Sequence, residues 1–133
     1  MGAANKINKI LIVDDDEDTR AVLKAAIRRL NAGEPTTAKN GLEALVLVEK
    51  QDFDLIICDW KMPKMSGLEF FKKVREMPAG ETVPFIMLTA EASKSKVIQA
   101  LGHGVNDYIV KPWTMEVLAT KIVQWMVLKR PAS

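Results

Sequence analysis

One cysteine, one histidine and one tyrosine occur among 133 residues, and no apolar run approaches the roughly 20 residues that a membrane helix requires. The lone Cys58 sits in an apolar run and reads as a reduced, buried residue of a cytoplasmic protein, not half of a disulfide. His103, between two glycines, reads as a surface residue ending a helix and not as a ligand or phosphodonor. Net charge is only +2, with no Arg-rich face or aromatic-basic array, so nucleic-acid binding is not expected. A secretory leader is not expected either, because Met1 to Lys9 is polar and only four apolar residues follow. The opening MGAANK has Lys6 where a myristoylation motif wants Ser or Thr. What the chain has in quantity is apolar residues, 48%, in short runs broken by Gly, Pro and charge. That is the pattern of a soluble folded chain, long enough for one domain and too short for two. We expect a loose N-terminus over 1–8, one domain over 9–128 and a tail over 129–133.

Two periodicities alternate along that domain. Lys9 to Val13, Phe53 to Cys58, Val83 to Leu88 and Tyr108 to Val110 are nearly continuous apolar runs, as expected of strands covered on both faces. A further, poorer strand is expected at Glu34 to Ala38, on a sheet edge. Between them, helical spacing appears at Leu23, Ala26, Ile27, Leu30; at Leu42, Leu45, Val48; at Phe70, Phe71, Val74; at Val97, Ile98, Leu101; and at Leu118, Ile122, Trp125. Strand and helix in strict alternation predict an α/β fold, an open parallel sheet with right-handed crossovers and helices on both faces. All strands of such a sheet end on one edge, where residues distant in sequence converge. The residues closing the strands are Asp14 and Asp15, then Asp59, Thr89 and Lys111.

Carboxylates crowded at one rim raise one another's pKa and call for a cation. Magnesium, or manganese, suits such a site, since it takes oxygen ligands from one or two carboxylates and from phosphate. An aspartate there can also attack phosphorus and become an aspartyl phosphate. Lys111 would meet the phosphoryl oxygens as a compact charge and Thr89 as a hydroxyl donor.

The pieces VDDD, CDWKMPKMSGLEF, MLTAEA and YIVKPW, in that order and spacing, resemble the receiver domain of two-component response regulators. Among these, the single-domain chemotaxis regulators are the most similar, and the resemblance runs from Lys9 to the last helix. It implies a flavodoxin-like, doubly wound five-stranded parallel sheet of order 2-1-3-4-5 with five helices, in three α/β/α layers. It implies that a histidine kinase phosphorylates Asp59, that Asp14, Asp15, Asp59 and the backbone carbonyl of Lys61 hold Mg2+, and that Lys111 assists. Thr89 and Tyr108 match a switch pair, and the Lys111-Pro112 bond is cis in relatives. Lys61 and Glu91 stand at positions that tune phosphoryl lifetime, and we expect them to pair loosely across the opening. The implied protein is a cytoplasmic, monomeric switch and not an enzyme beyond its own phosphorylation and dephosphorylation. Its output, with no appended effector domain, would be protein binding on a face of helix 4, strand 5 and helix 5, with the flagellar switch the leading target. A phosphorelay intermediate or a generic stand-alone receiver is the alternative.

Plainer roles compete at several positions. Asp16, Glu17 and Asp18 lie where the first helix begins, where acids favour the helix dipole, and capping outweighs metal binding for them. Tyr108 and Trp60 would by default be half-buried aromatics, and Lys94, Lys96 and Lys121 solvated charges, though with Tyr108 they could line a partner face. Trp113 follows Lys-Pro where Phe is commoner in the family. A calcium loop through Asp14, Asp16 and Asp18 needs Gly at Thr19 and Glu at Ala25, and has neither. A haloacid-dehalogenase-type phosphatase would use Asp14 as nucleophile and Asp16 as acid, and leaves Asp59 without a role.

Overall fold

Strands with no polar alternation have to be covered on both faces. That is the arrangement in the computed structural model of the chain, which describes residues 8–90 and 94–129, the side chains of 94 and 127–129 excepted. The elements run β1 (Lys9–Val13), α1 (Glu17–Arg29), β2 (Glu34–Ala38), α2 (Gly41–Lys50), β3 (Leu55–Asp59), α3 (Gly67–Arg75), a 3-10 turn (Pro78–Gly80), β4 (Phe85–Thr89), α4 (Lys94–Gly102), β5 (Asp107–Val110) and α5 (Met115–Lys129). The strands form one parallel sheet of order β2-β1-β3-β4-β5, which places β2 on an edge as expected.

Alternate residues of each strand serve opposite layers. Leu11, Val13, Ile56, Cys58, Phe85 and Met87 pack with Ala44 and Val48 of α2, Phe70, Phe71 and Val74 of α3, and Ala100 of α4. Ile10, Ile12, Leu55, Ile57, Ile86, Leu88 and Ile109 pack with Leu23, Ala26 and Ile27 of α1 and Leu118, Ile122 and Met126 of α5. The result is three layers around two cores.

β1 and β2 have the expected bounds, whereas β3 and β4 begin two residues later than their apolar runs and end one later. Phe53 and Val83 are buried, but burial starts before the hydrogen-bonded ladder does. Pro84 has no N–H to give, and the ladder opens instead with its carbonyl accepting from Ile56 N at 2.9 Å. At the other end Asp59 pairs with Leu88, so Asp59 and Thr89 close their strands from inside and not from the following loop.

In two helices small residues take sheet-facing places that larger ones were expected to fill, although Val48 of α2 is buried as expected. α2 buries Gly41, Ala44 and Val48 and leaves Leu42 half exposed. α4 buries Ala100, while Ile98 and Leu101 are 57% and 42% exposed. Small side chains let these helices approach closely. α3, in contrast, buries Phe70, Phe71 and Val74 as expected, and its last residue ties the far end of the sheet together. The Arg75 guanidinium donates to the carbonyls of Gly80 and Val83 and to Asn106 Oδ1, lying 4.8 Å from the centroid of the Phe71 ring.

Candidate functional site

Asp14 follows β1 and extends its ladder, its N–H donating to Ala38 O at 3.1 Å. The side chain is fully buried. Its Oδ1 accepts from Asp16 N at 2.9 Å, and Arg20 donates to its main-chain carbonyl at 2.8 Å, so the side chain and the backbone of Asp14 are each held. Asp59 closes the central strand β3 and is 7% exposed. Lys111 reaches the same rim because its N–H donates to Thr89 O, at 2.8 Å, just past β5. Its ammonium lies 3.1 Å from Asp59 Oδ1 and 3.3 Å from Asp14 Oδ2. Asp15 is exposed, yet carboxylate oxygens of Asp14, Asp15 and Asp59 all lie within 4.8 Å of one another. Thr89, 2% exposed, closes β4 beside them. The Lys111-Pro112 bond is cis, as the resemblance implied.

The loop after β3 is fixed by backbone packing. Gly67 donates to Trp60 O at 2.7 Å, and a Cβ at this position would stand 2.3 Å from the main-chain oxygen of Asp59. Only glycine lets α3 start this close to the strand end. Ser66 caps α3 in a reciprocal capping box with Glu69. Lys61 is exposed in this loop, and a groove of about 450 Å³ runs beside it, lined by Trp60, Met62, Pro63, Ser66 and Lys96. Tyr108, half-buried, pairs with Met87 on β5, one strand across from Thr89 and further from the rim. Glu91 lies outside the described residues.

Charge at the rim is unbalanced. Burial, and then the charge of Asp14, push the Asp59 carboxyl above the ordinary aspartate value, with Lys111 opposing them. Burial would lower the Lys111 ammonium, but the hydrogen bonds and charges of Asp59 and Asp14 outweigh it and raise it, so Lys111 is a permanent cation. Burial foremost, helped by Asp59 and Asp14, pushes up the Cys58 thiol, which is therefore inert. Three carboxylates against one ammonium leave about two negative charges on clustered hard oxygens, the donor set that a small divalent cation takes.

The acidic run after β1 divides as expected. Asp16 is the N-cap of α1, its Oδ2 accepting from Thr19 N at 2.9 Å and Thr19 Oγ1 at 2.6 Å, and those bonds hold its carboxyl below the ordinary value. Glu17 and Asp18 are exposed in the first turn. Both rival sites need the Asp16 side chain, and it is engaged in capping α1 instead. Lys96 is exposed, as expected, and lies 5.8 Å from the centroid of the Trp60 ring, whereas Lys121 is less solvated than expected, ion-paired with Asp107 at 2.8 Å. Sequence reading gave no role to Asp107, although a carboxylate in register with the buried Ile109 is itself a signal.

Comparison with known proteins places this geometry. The response regulator receiver domain family matches residues 10–123. A chemotaxis protein CheY homolog of Campylobacter jejuni is 45% identical over 115 residues, covering 86% of this chain and 88% of the relative. The solved chemotaxis response regulator CheY4 of Vibrio cholerae superposes with a TM-score of 0.84 at 34% identity, over 90% of this chain and 99% of that one. A sensor histidine kinase receiver domain from Pseudomonas aeruginosa, solved with magnesium coordinated in its active-site cleft, gives 0.83 at 30% identity, over 92% and 99%.

Proposed function

The chain belongs to the response regulator receiver family of two-component signalling, and on that premise we propose that it is a chemotaxis switch phosphorylated on Asp59 by a histidine kinase. The observation that carries this reading is the Lys111 ammonium set between Asp59 and Asp14, with a third carboxylate beside them. An Asp59 oxygen attacks the phosphorus of a phosphohistidine; a P–O bond forms, the P–N bond breaks, and the released imidazole nitrogen takes a proton from solvent. Lys111 meets the added negative charge, and the Thr89 hydroxyl donates to a phosphoryl oxygen. Asp14, Asp15, Asp59 and the Lys61 carbonyl would hold magnesium, which when bound would supply charge neutralisation to the incoming phosphate. Lys61 and Glu91 tune loss of the phosphoryl group; additive effects of Lys61→Ala and Glu91→Ala on dephosphorylation would count against their coupling.

The protein is a signalling switch and not a conventional enzyme. Phosphorylation favours a state in which Thr89 and Tyr108 rearrange and the α4–β5–α5 face changes its partner affinity, which requires the phosphoryl group to bind that state better. Residues 9–128 form the receiver, acting as a cytoplasmic monomer; among the described residues no helix is long and apolar enough to cross a membrane. The test is incorporation of one acid-stable, base-labile phosphate, lost in Asp59→Asn and on magnesium chelation. Turnover of a generic phosphomonoester, with no accumulated phosphate, would overturn it.

We favour a flagellar motor protein as the target; what supports this is that the relatives are chemotaxis proteins. A phosphorelay intermediate is the second reading, favoured by the likeness to a receiver from a sensor kinase. Capture with beryllofluoride-activated protein against Asp59→Asn separates them: a motor protein supports the first, a histidine phosphotransfer protein the second.

A further inference from the structure

β5 opens on a buried carboxylate that the chemistry of the rim does not use. Asp107 is 8% exposed, and three donors converge on it. Its Oδ1 accepts from Tyr108 N and from Lys121 Nζ, both at 2.8 Å, and its Oδ2 accepts from the Trp125 indole N–H at 2.8 Å. The same Lys121 ammonium stands 5.8 Å from the centroid of the Tyr108 ring. A lysine head normally roams on its four-carbon stem, but this one is fixed by a charge-assisted bond to a carboxylate that is itself pinned by an indole and a strand amide. The fixed cation lies within the distance at which a ring quadrupole attracts it. α5 is thereby fastened to β5 at the residue adjoining Tyr108.

We propose that Asp107, Lys121 and Trp125 form a clamp that holds the Tyr108 ring in its present position, and so set how readily the switch is thrown. These are positioning residues, since none touches the phosphoryl site, and the inference rests on the reading of Tyr108 as the partner of Thr89. Removing the cation should release the ring without altering Asp59 chemistry.

The chain has a single tyrosine, so 3-fluorotyrosine labelling gives one 19F resonance that reports this ring alone. In the full chain with magnesium, beryllofluoride should move that resonance; if it does not, the switch reading fails, whatever the variants do. Given that movement, Lys121→Met and Asp107→Asn should shift the unactivated resonance toward the activated position, with about a two- to fivefold rise in the ratio of moved to unmoved ring. Lys121→Arg should restore the wild-type position. Trp125→Phe, which keeps an aromatic side chain but loses the indole N–H donor, should act in the same direction and serves if Asp107→Asn loosens the fold. An unactivated resonance at the wild-type position in Lys121→Met and Trp125→Phe, or a shift away from the activated position, overturns the clamp.

Discussion

Replacing Lys111 by methionine keeps most of the apolar stem and removes the ammonium, with its charge and its hydrogen bonds, from between Asp59 and Asp14. At an effective dielectric of about 20, contacts of 3.1 and 3.3 Å each represent about 5 kcal/mol of Coulomb attraction. Two carboxylates within 4.8 Å repel by at least about 3.5 kcal/mol on the same scale. Desolvation of all three groups cancels much of the attraction, and the Lys111 side chain is 26% exposed, so the net loss has to be discounted. We expect the metal-free variant to lose about 2 to 3 kcal/mol at neutral pH, below the roughly 3 to 5 kcal/mol of breaking a fully buried pair. Because the loss is electrostatic, it should shrink to about 1 kcal/mol in an Asp59→Asn background, a coupling of roughly 1 to 2 kcal/mol in a double-mutant cycle. Millimolar magnesium should narrow the gap too, since the variant offers a more negative site. Urea unfolding of the four proteins, in chelator and in magnesium, measures all of these. A loss that is unchanged by Asp59→Asn and by magnesium would mean that Lys111 acts through packing and would refute the charge argument.

Asp59 itself should lower the stability of the metal-free protein. Its carboxyl is raised by burial and by Asp14, so the folded state holds the proton longer than the unfolded chain; stability is greatest below the unfolded value and falls as pH rises through the folded one. Asp59→Asn should therefore raise the urea midpoint in chelator at pH 7 and lose that advantage in acid. Gly67→Ala puts a methyl 2.3 Å from the Asp59 carbonyl and 2.9 Å from Met87 Sδ; it should cost about 1 to 3 kcal/mol in urea unfolding and slow phosphorylation as α3 is displaced. Asp16→Ala should lower the melting temperature through loss of the α1 cap while leaving magnesium affinity, read by calorimetric titration, at the wild-type value.

How much of this was legible depended on which force decides each feature. Burial sets the centres of strands, so the apolar runs located four of them and the alternation with helices the fifth, β2; ladder hydrogen bonds set their ends, and Phe53 and Val83 are buried without belonging to the ladder. The face of α4 and part of that of α2 differ from expectation because Gly41, Ala44 and Ala100 win the sheet by being small, whereas Leu42 and Ile98 look like better core residues by transfer energy alone. The rim was legible through topology: a parallel sheet brings its strand ends together, and Asp14, Asp15, Asp59, Thr89 and Lys111 follow. No spacing rule connects Asp107 with Trp125, eighteen residues on, because their meeting depends on how α5 lies along β5. Only the two-residue period of β5 marks Asp107 as facing inward beside Ile109.

Lys111 is held by a backbone bond to the end of β4, and its ammonium faces a carboxylate 52 residues earlier in the chain. Synthesis proceeds from the N-terminus, so the acidic half of the rim leaves the ribosome well before the base that completes it. On the proposed reading of Asp59 as the phosphoacceptor, a nascent or truncated chain has the aspartate without the base that completes it until β5 pairs with β4. Completion of the sheet would then also be the moment at which the molecule begins to count in signalling.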